Sequence, residues 1–217
     1  PDESRSHFKA MALMERGVES EQGPASGWIG RHLGSLDTGN RSPLRAVGLG
    51  AMAPASLRGS IPAAAFRSIA EFHLGQDPQA VAAMQQALSG PYTPHETPSL
   101  LGRETLTMID TLQALNPSEY TPARSANYPA SDFGSSLQQV AMLIKAEVGL
   151  EVAAVDLGGW DTHFAQGAVA GLMANLLNDL ATGLAAFHAD LHDHLGNLTI
   201  VVMSEFSRRL QENASLG

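Results

Sequence analysis

With 217 residues, 44% of them hydrophobic and 16% charged, the chain can bury a core, which excludes the disordered class. Against 22 acidic side chains stand 13 basic ones, a formal charge of −9 with no Lys/Arg cluster, which argues against a nucleic-acid partner. Cysteine is absent, so disulfides and thiolate metal sites are excluded, and no apolar run reaches the ~20 residues of a membrane span.

The first third is helical and rich in turns. "SRSHFKAMALMERG" places Phe8, Met11, Leu13 and Met14 near one face and stops at Gly17. A short helix around "SGWIGRHLGSL" follows, and "LRAVGLGA" (44–51) reads as a short buried strand ended by glycine. "IPAAAFRSIAEF" is open between strand and helix, because its periodicity fits both. In the middle, "DPQAVAAMQQALSG" carries a helix start at Asp77 and Pro78 and a stop at Gly90. "TPSLLGRETLTMIDTLQALNP" predicts a second helix that ends before Pro117. Residues 116–132, with three prolines and few aliphatics, predict a surface loop that serves as a lobe boundary or a lid.

The last third predicts a helix from Ser131 to Val148, then the strand-length apolar run "EVAAVDL" (151–157). A long helix from Ala168 to Asp193 comes next, with the stripe Val169, Leu172, Leu176, Leu180, Leu184, Phe187 and Leu191 on one face. Gly183 inside it points to close packing, at a cost of ~1 kcal/mol against alanine. "LTIVVMSEF" (198–206) is β-branched and predicts a second strand, parallel to 151–157. Strand, helix and strand over 150–206 make a βαβ unit, and strands apolar on both faces imply a parallel sheet with helices on each side. The expected class is α/β, with residues 1–217 forming one domain. Opening on Pro1 and closing on "ENASLG", the chain is expected to be a fragment of a longer protein.

The segment with the densest chemistry is "DLGGWDTHFAQG" (156–167), directly after the first of these strands. In a parallel unit both strands end on the same sheet edge, where α/β proteins bind ligands. Asp161 and His163 would then meet Glu205, at the end of the second strand, in one crevice. Two carboxylates and an imidazole suit Zn²⁺ or Mn²⁺ better than Ca²⁺. Such an ion would polarise an ester oxygen or activate a water, and would offset the acidic surface toward an anionic substrate. The alternative is ordinary turn chemistry, with Gly-Gly closing the strand and Asp161 capping the turn.

"SRSHFKAM", "GGWDTHFAQG" and "SEFSRRLQENAS", in that order, resemble the bacterial family catalogued as domain of unknown function 1501, over essentially the whole chain. That family is placed with the alkaline phosphatase and sulfatase-like proteins, α/β metal-dependent esterases, and many members look exported with a twin-arginine signal. The resemblance implies a phosphate- or sulfate-ester hydrolase acting on a small-molecule or polysaccharide substrate in the periplasm. It puts Asp161 and His163 at the first Asp/His metal pair and Glu205 at the aspartate of a later strand-end motif. Ser207 stands where the family usually has glycine, while Arg208 keeps the arginine. The family's opening glycine-rich strand and its Asp-His-Gly segment lie outside these residues, and the nucleophile is expected there. The alternative function is a non-catalytic exported protein that keeps the fold and uses the same crevice for binding.

His7, Trp160 and Arg208 are the candidates for substrate binding. Arg5 and Ser6 beside His7 suit an anion-holding turn at a helix start, against a plain structural histidine. Trp160 reads as a loop anchor more than a substrate platform. His188 and His192, one helical turn apart with Asp190, Asp193 and His194 between and beside them, read as a solvated helix end. Ser204 lacks a G-x-S-x-G elbow, so a serine hydrolase triad is not expected.

Overall fold

The computed structural model describes residues 6–207 apart from residues 76, 90–96 and 168. Three short strands, β1 (Ala46–Leu49), β2 (Ala64–Phe66) and β3 (Val152–Val155), form one parallel sheet in the order β2-β1-β3. Val47 lies opposite Ala64 on one side and Ala153 on the other, so side chains in register share a face. β1 is buried throughout, as a central parallel strand must be. The chain is therefore α/β.

Around the sheet lie α1 (His7–Arg16), α2 (Trp28–Ser35), α3 (Pro78–Leu88), α4 (Thr97–Gln113), α5 (Asp132–Lys145) and α6 (Leu172–Asp190). Local chemistry sets their limits. Ser6 Oγ accepts the Lys9 N–H at the start of α1, and Gly17 ends it in the left-handed region at φ +59°. Asp77 accepts the amides of Gln79 and Ala80 ahead of α3, and Ser131 accepts that of Gly134 ahead of α5.

Alternation along the strands divides the core. Val47, Leu49, Ala64 and Phe66 pack with Phe133, Leu137, Val140 and Leu143 of α5, and the partly buried Ala153 and Val155 join them. Ala46 points the other way, with Val152 and Ala154, onto Ile29 and Leu33 of α2 and Leu57 of a 3₁₀ turn. Helix α6 lies principally against α5. A Cβ on Gly183 would come within 2.7 Å of the Phe133 ring, so the two helices meet at a contact only glycine fits.

Two expectations about the last third fail. Residues 198–204 are not a strand and do not pair with β3, whose sheet partner is β1. Ile200, Val201, Val202 and Met203 are instead 47–64% exposed. A β-branched run favours extended chain, but it joins a sheet only where a neighbour lies ~4.8 Å away with free amides, a non-local condition. The apolar stripe of the long helix is also only partly buried. Phe187 and Leu191 are in the core and Leu180 and Leu184 pack against it, whereas Val169 and Leu172 are exposed. Because α5 already covers that face of the sheet, α6 finds apolar surface on α5, and its first turn faces outward.

Residues 116–131 connect α4 to α5 along the surface, with 3₁₀ turns at Pro117–Glu119 and Ala123–Ser125, and Asp132 already begins α5. The loop is fastened to α6 by one buried carboxylate. Asp190 accepts from the hydroxyls of Tyr120 (2.6 Å) and Tyr128 (2.8 Å) and from the Ala123 N–H (2.6 Å), and pairs with Lys145. Burial pushes this carboxyl up, but the bonds from Lys145, Tyr120, Ala123 and Tyr128 outweigh it and hold Asp190 below the usual carboxylate range. His188, His192 and Asp193 are exposed, as a solvated helix end requires, and Asp190 is the exception.

Candidate metal centre

The loop after β3 turns at Gly158 and Gly159, the latter at φ +92°. Trp160 then donates its indole N–H to Leu157 O at 2.7 Å, which anchors the loop to the end of its own strand. The Thr162 N–H closes back on Trp160 O at 2.8 Å, so Asp161 sits at the tip of a tight turn. Thr162 is only 4% exposed, while Asp161 and His163 on either side of it project into solvent.

Helix α1 supplies the group that completes the cluster. His163 Nε2 lies 2.6 Å from Asp161 Oδ1, and His7 Nε2 lies 3.3 Å from the same oxygen. His7 turns its Nδ1 to Glu205 Oε1 at 2.7 Å, and Ser204 Oγ donates to the other oxygen of Glu205 at 3.1 Å. The Phe206 ring lies 4.6 Å from that of His7, centroid to centroid, and covers one side of it. One ligand atom each from His7, Asp161 and His163 fall within 4.8 Å of one another.

Electrostatics follow from this placement. Both ring nitrogens of His7 face carboxylate oxygens, which favours the doubly protonated ring. Its pKa is raised, most by the bond to Glu205; burial opposes this, and the charges of Asp161 and Glu205 and the bond to Asp161 add to the rise. The same bond holds Glu205 below the usual carboxylate range.

The donor set fits a divalent transition metal. Two imidazoles and a carboxylate are usual Zn²⁺ ligands, and a tetrahedral ion with donors 2.0–2.1 Å away sets them roughly 3.3–3.4 Å apart. The His7–Asp161 distance is already at that value. A metal-bound histidine normally directs its second nitrogen at a carboxylate, and Glu205 stands at that position on His7.

Of the residues expected from sequence, His7, a candidate for substrate binding, lies beside Asp161 and His163, and Glu205, a candidate ligand, bonds to His7. Trp160 spends its N–H on the loop, and Arg208 lies outside the described residues. Thr162 carried no role in the sequence reading, and in a loop outside any strand no periodicity marks it as turned inward.

The model of the family described as "Protein of unknown function (DUF1501)" matches residues 1–217, the whole chain. The chain belongs to the DUF1501 family. No curated protein and no solved structure matches this DUF1501 chain. Its cluster must therefore be read from its own chemistry. Among the described residues no helix is long and apolar enough to cross a membrane.

Proposed function

We propose that the cluster is a divalent-metal centre and that the protein is an exported, metal-dependent hydrolase of phosphate or sulfate esters. The proposal includes an alkaline phosphatase/sulfatase-like sandwich and twin-arginine export to the periplasm, both resting on the sequence resemblance. The observation that carries the metal reading is the approach of His7, Asp161 and His163 within 4.8 Å, with Glu205 orienting His7. Zn²⁺ or Mn²⁺ is the expected ion.

His7 and His163 would bind through ring nitrogens and Asp161 through a carboxylate oxygen. Glu205 keeps the His7 Nδ1 proton in place, so that Nε2 is the nitrogen presented to the ion. To ligate through Nε2, His7 would have to release the proton there to solvent. The ion, when bound, polarises an ester oxygen or lowers the pKa of a water. The net charge of −9 makes a cation the natural means of holding an anionic ester.

One observation favours a second reading, a non-catalytic binding protein with the same centre. The side chains of Asp161 and His163 are 49% and 75% exposed, whereas hydrolytic sites gain from excluding water. Dialysis of the protein encoded by the full reading frame against Zn²⁺ and Mn²⁺ with elemental analysis, followed by assays on aryl phosphates and aryl sulfates, separates the two. The hydrolase reading expects bound metal and turnover, both lost in Asp161→Ala. Metal without turnover selects the binding protein. Equal, near-zero metal in wild type and Asp161→Ala refutes the centre itself.

A further inference from the structure

The turn that carries Asp161 is held on both sides. Upstream, the Trp160 indole is bonded to Leu157 at the end of β3. Downstream, the buried Thr162 hydroxyl donates to Gln166 Oε1 at 3.0 Å. The backbone between them is reversed by Ala165 in the left-handed region at φ +47°, which returns Gln166 toward Thr162. Gln166 O in turn accepts the Met173 N–H in the first turn of α6, at 3.2 Å. The Thr162–Gln166 bond is therefore a link between the turn holding Asp161 and His163 and the helix behind it.

We infer that Thr162 is the positioning residue of the metal centre, its hydroxyl clasped by the Gln166 side chain so that Asp161 and His163 stand ready on one outward face. This inference rests on the metal reading above and adds what presets its geometry. An exposed loop ligand without such a clasp samples many positions, and an ion must then order the loop at the expense of affinity. With Thr162 turned in, its neighbours on both sides turn out, and His163 Nε2 contacts Asp161 Oδ1 at 2.6 Å, so the two donors share one face and need open by less than about 1 Å to reach tetrahedral spacing. Partners that orient metal ligands typically contribute 10–100-fold in affinity.

The test uses Thr162→Val, which removes the hydroxyl and keeps the branched shape, Thr162→Ser, which keeps the hydroxyl, and Gln166→Met, which removes the acceptor. Zn²⁺ affinity is measured by competition with a chromophoric chelator, coordination by the visible absorption of the Co²⁺-loaded protein, and folding by far-UV circular dichroism. Thr162→Val is expected to weaken Zn²⁺ about 10–100-fold and alter the Co²⁺ spectrum with helix content unchanged. Thr162→Ser should restore most of the affinity. Gln166→Met should match Thr162→Val, and the double variant should lose no more than either, because one bond is removed only once. Should Thr162→Val fail to fold, Gln166→Met carries the same comparison. Wild-type affinity and spectrum in folded Thr162→Val or Gln166→Met would overturn the inference while leaving the metal centre standing. So would fully additive losses in the double variant. Absence of metal from the wild type itself would overturn both.

Discussion

Asp190→Asn removes a charge from a heavily bonded buried side chain and changes its volume little. In the native state the Asp190 side chain is fully buried, and its two oxygens take the hydroxyls of Tyr120 and Tyr128, the Ala123 amide and the Lys145 ammonium. An asparagine keeps one oxygen of the two and turns an NH₂ group toward donors. Two tyrosine hydroxyls can rotate to accept from that group, but Lys145 loses its counter-charge and cannot adapt. Breaking one partner out of a buried ion pair costs about 3–5 kcal/mol. Lys145, 24% exposed, can recover some hydration, which puts the expected loss near 3 kcal/mol. That is a large part of the 5–15 kcal/mol typical of a domain. Urea denaturation at pH 7 and 25 °C, followed by circular dichroism, measures it. The midpoint should fall with little change in slope, since the surface exposed on unfolding is almost the same. A loss below about 1 kcal/mol would refute the claim that this carboxylate anchors the 116–131 loop to α6, because one ordinary hydrogen bond is worth that much. The pH dependence has a definite sign. Asp190 is held below its unfolded pKa, so its contribution is complete above the ordinary carboxylate range near 3.9 and is lost only as pH falls through the lower folded value. Stability from this group should not change between pH 7 and about 5.

Gly183→Ala gains about 1 kcal/mol of helix propensity but places a methyl 2.7 Å from a Phe133 ring carbon and 3.2 Å from a Leu137 methyl. Overpacking of 1–3 kcal/mol should more than offset the gain, lowering the melting temperature; a rise would show that α5 and α6 have room to separate. NMR titration of the His7 imidazole should give a midpoint above 6.5 that falls in Glu205→Gln. His7 is raised in the folded state, so its stabilising contribution is complete below the unfolded value and disappears as pH rises through the folded one; a midpoint at or below 6.5 would refute the pairing. Zn²⁺ at a hundred times its dissociation constant should add about 2.7 kcal/mol of stability to the wild type, read by thermal unfolding, and nothing to Asp161→Ala.

Local signals carried most of the secondary structure. Asp77 followed by Pro78, Ser131 and Gly17 mark helix limits through bonds that span three or four residues, and such bonds can be read without knowing the fold. The buried run at 46–49 was legible for the same reason. Residues 198–204 were misread because β-branching gives extended chain and says nothing about which edge, if any, lies alongside. Asp190 was misread because it stands among solvated groups in "HADLHDH", and its partners Tyr120, Tyr128 and Lys145 lie 45–70 residues away. In the candidate centre the motif made Asp161 and His163 conspicuous, but no spacing rule could pass Glu205 through His7. That arrangement depends on the start of α1 lying beside the loop after β3, which is a tertiary fact.

The bond between His7 and Glu205 joins positions 198 residues apart. No nascent chain can make it until nearly all of this sequence has been synthesised. Contacts of such separation carry the greatest loop-closure entropy and tend to form late, after the helix pair and strands have already supplied enthalpy. By that rule the His7–Glu205 bond belongs to the late contacts. The bond ties the start of α1 to the segment after α6, two parts of the chain that no local contact brings together.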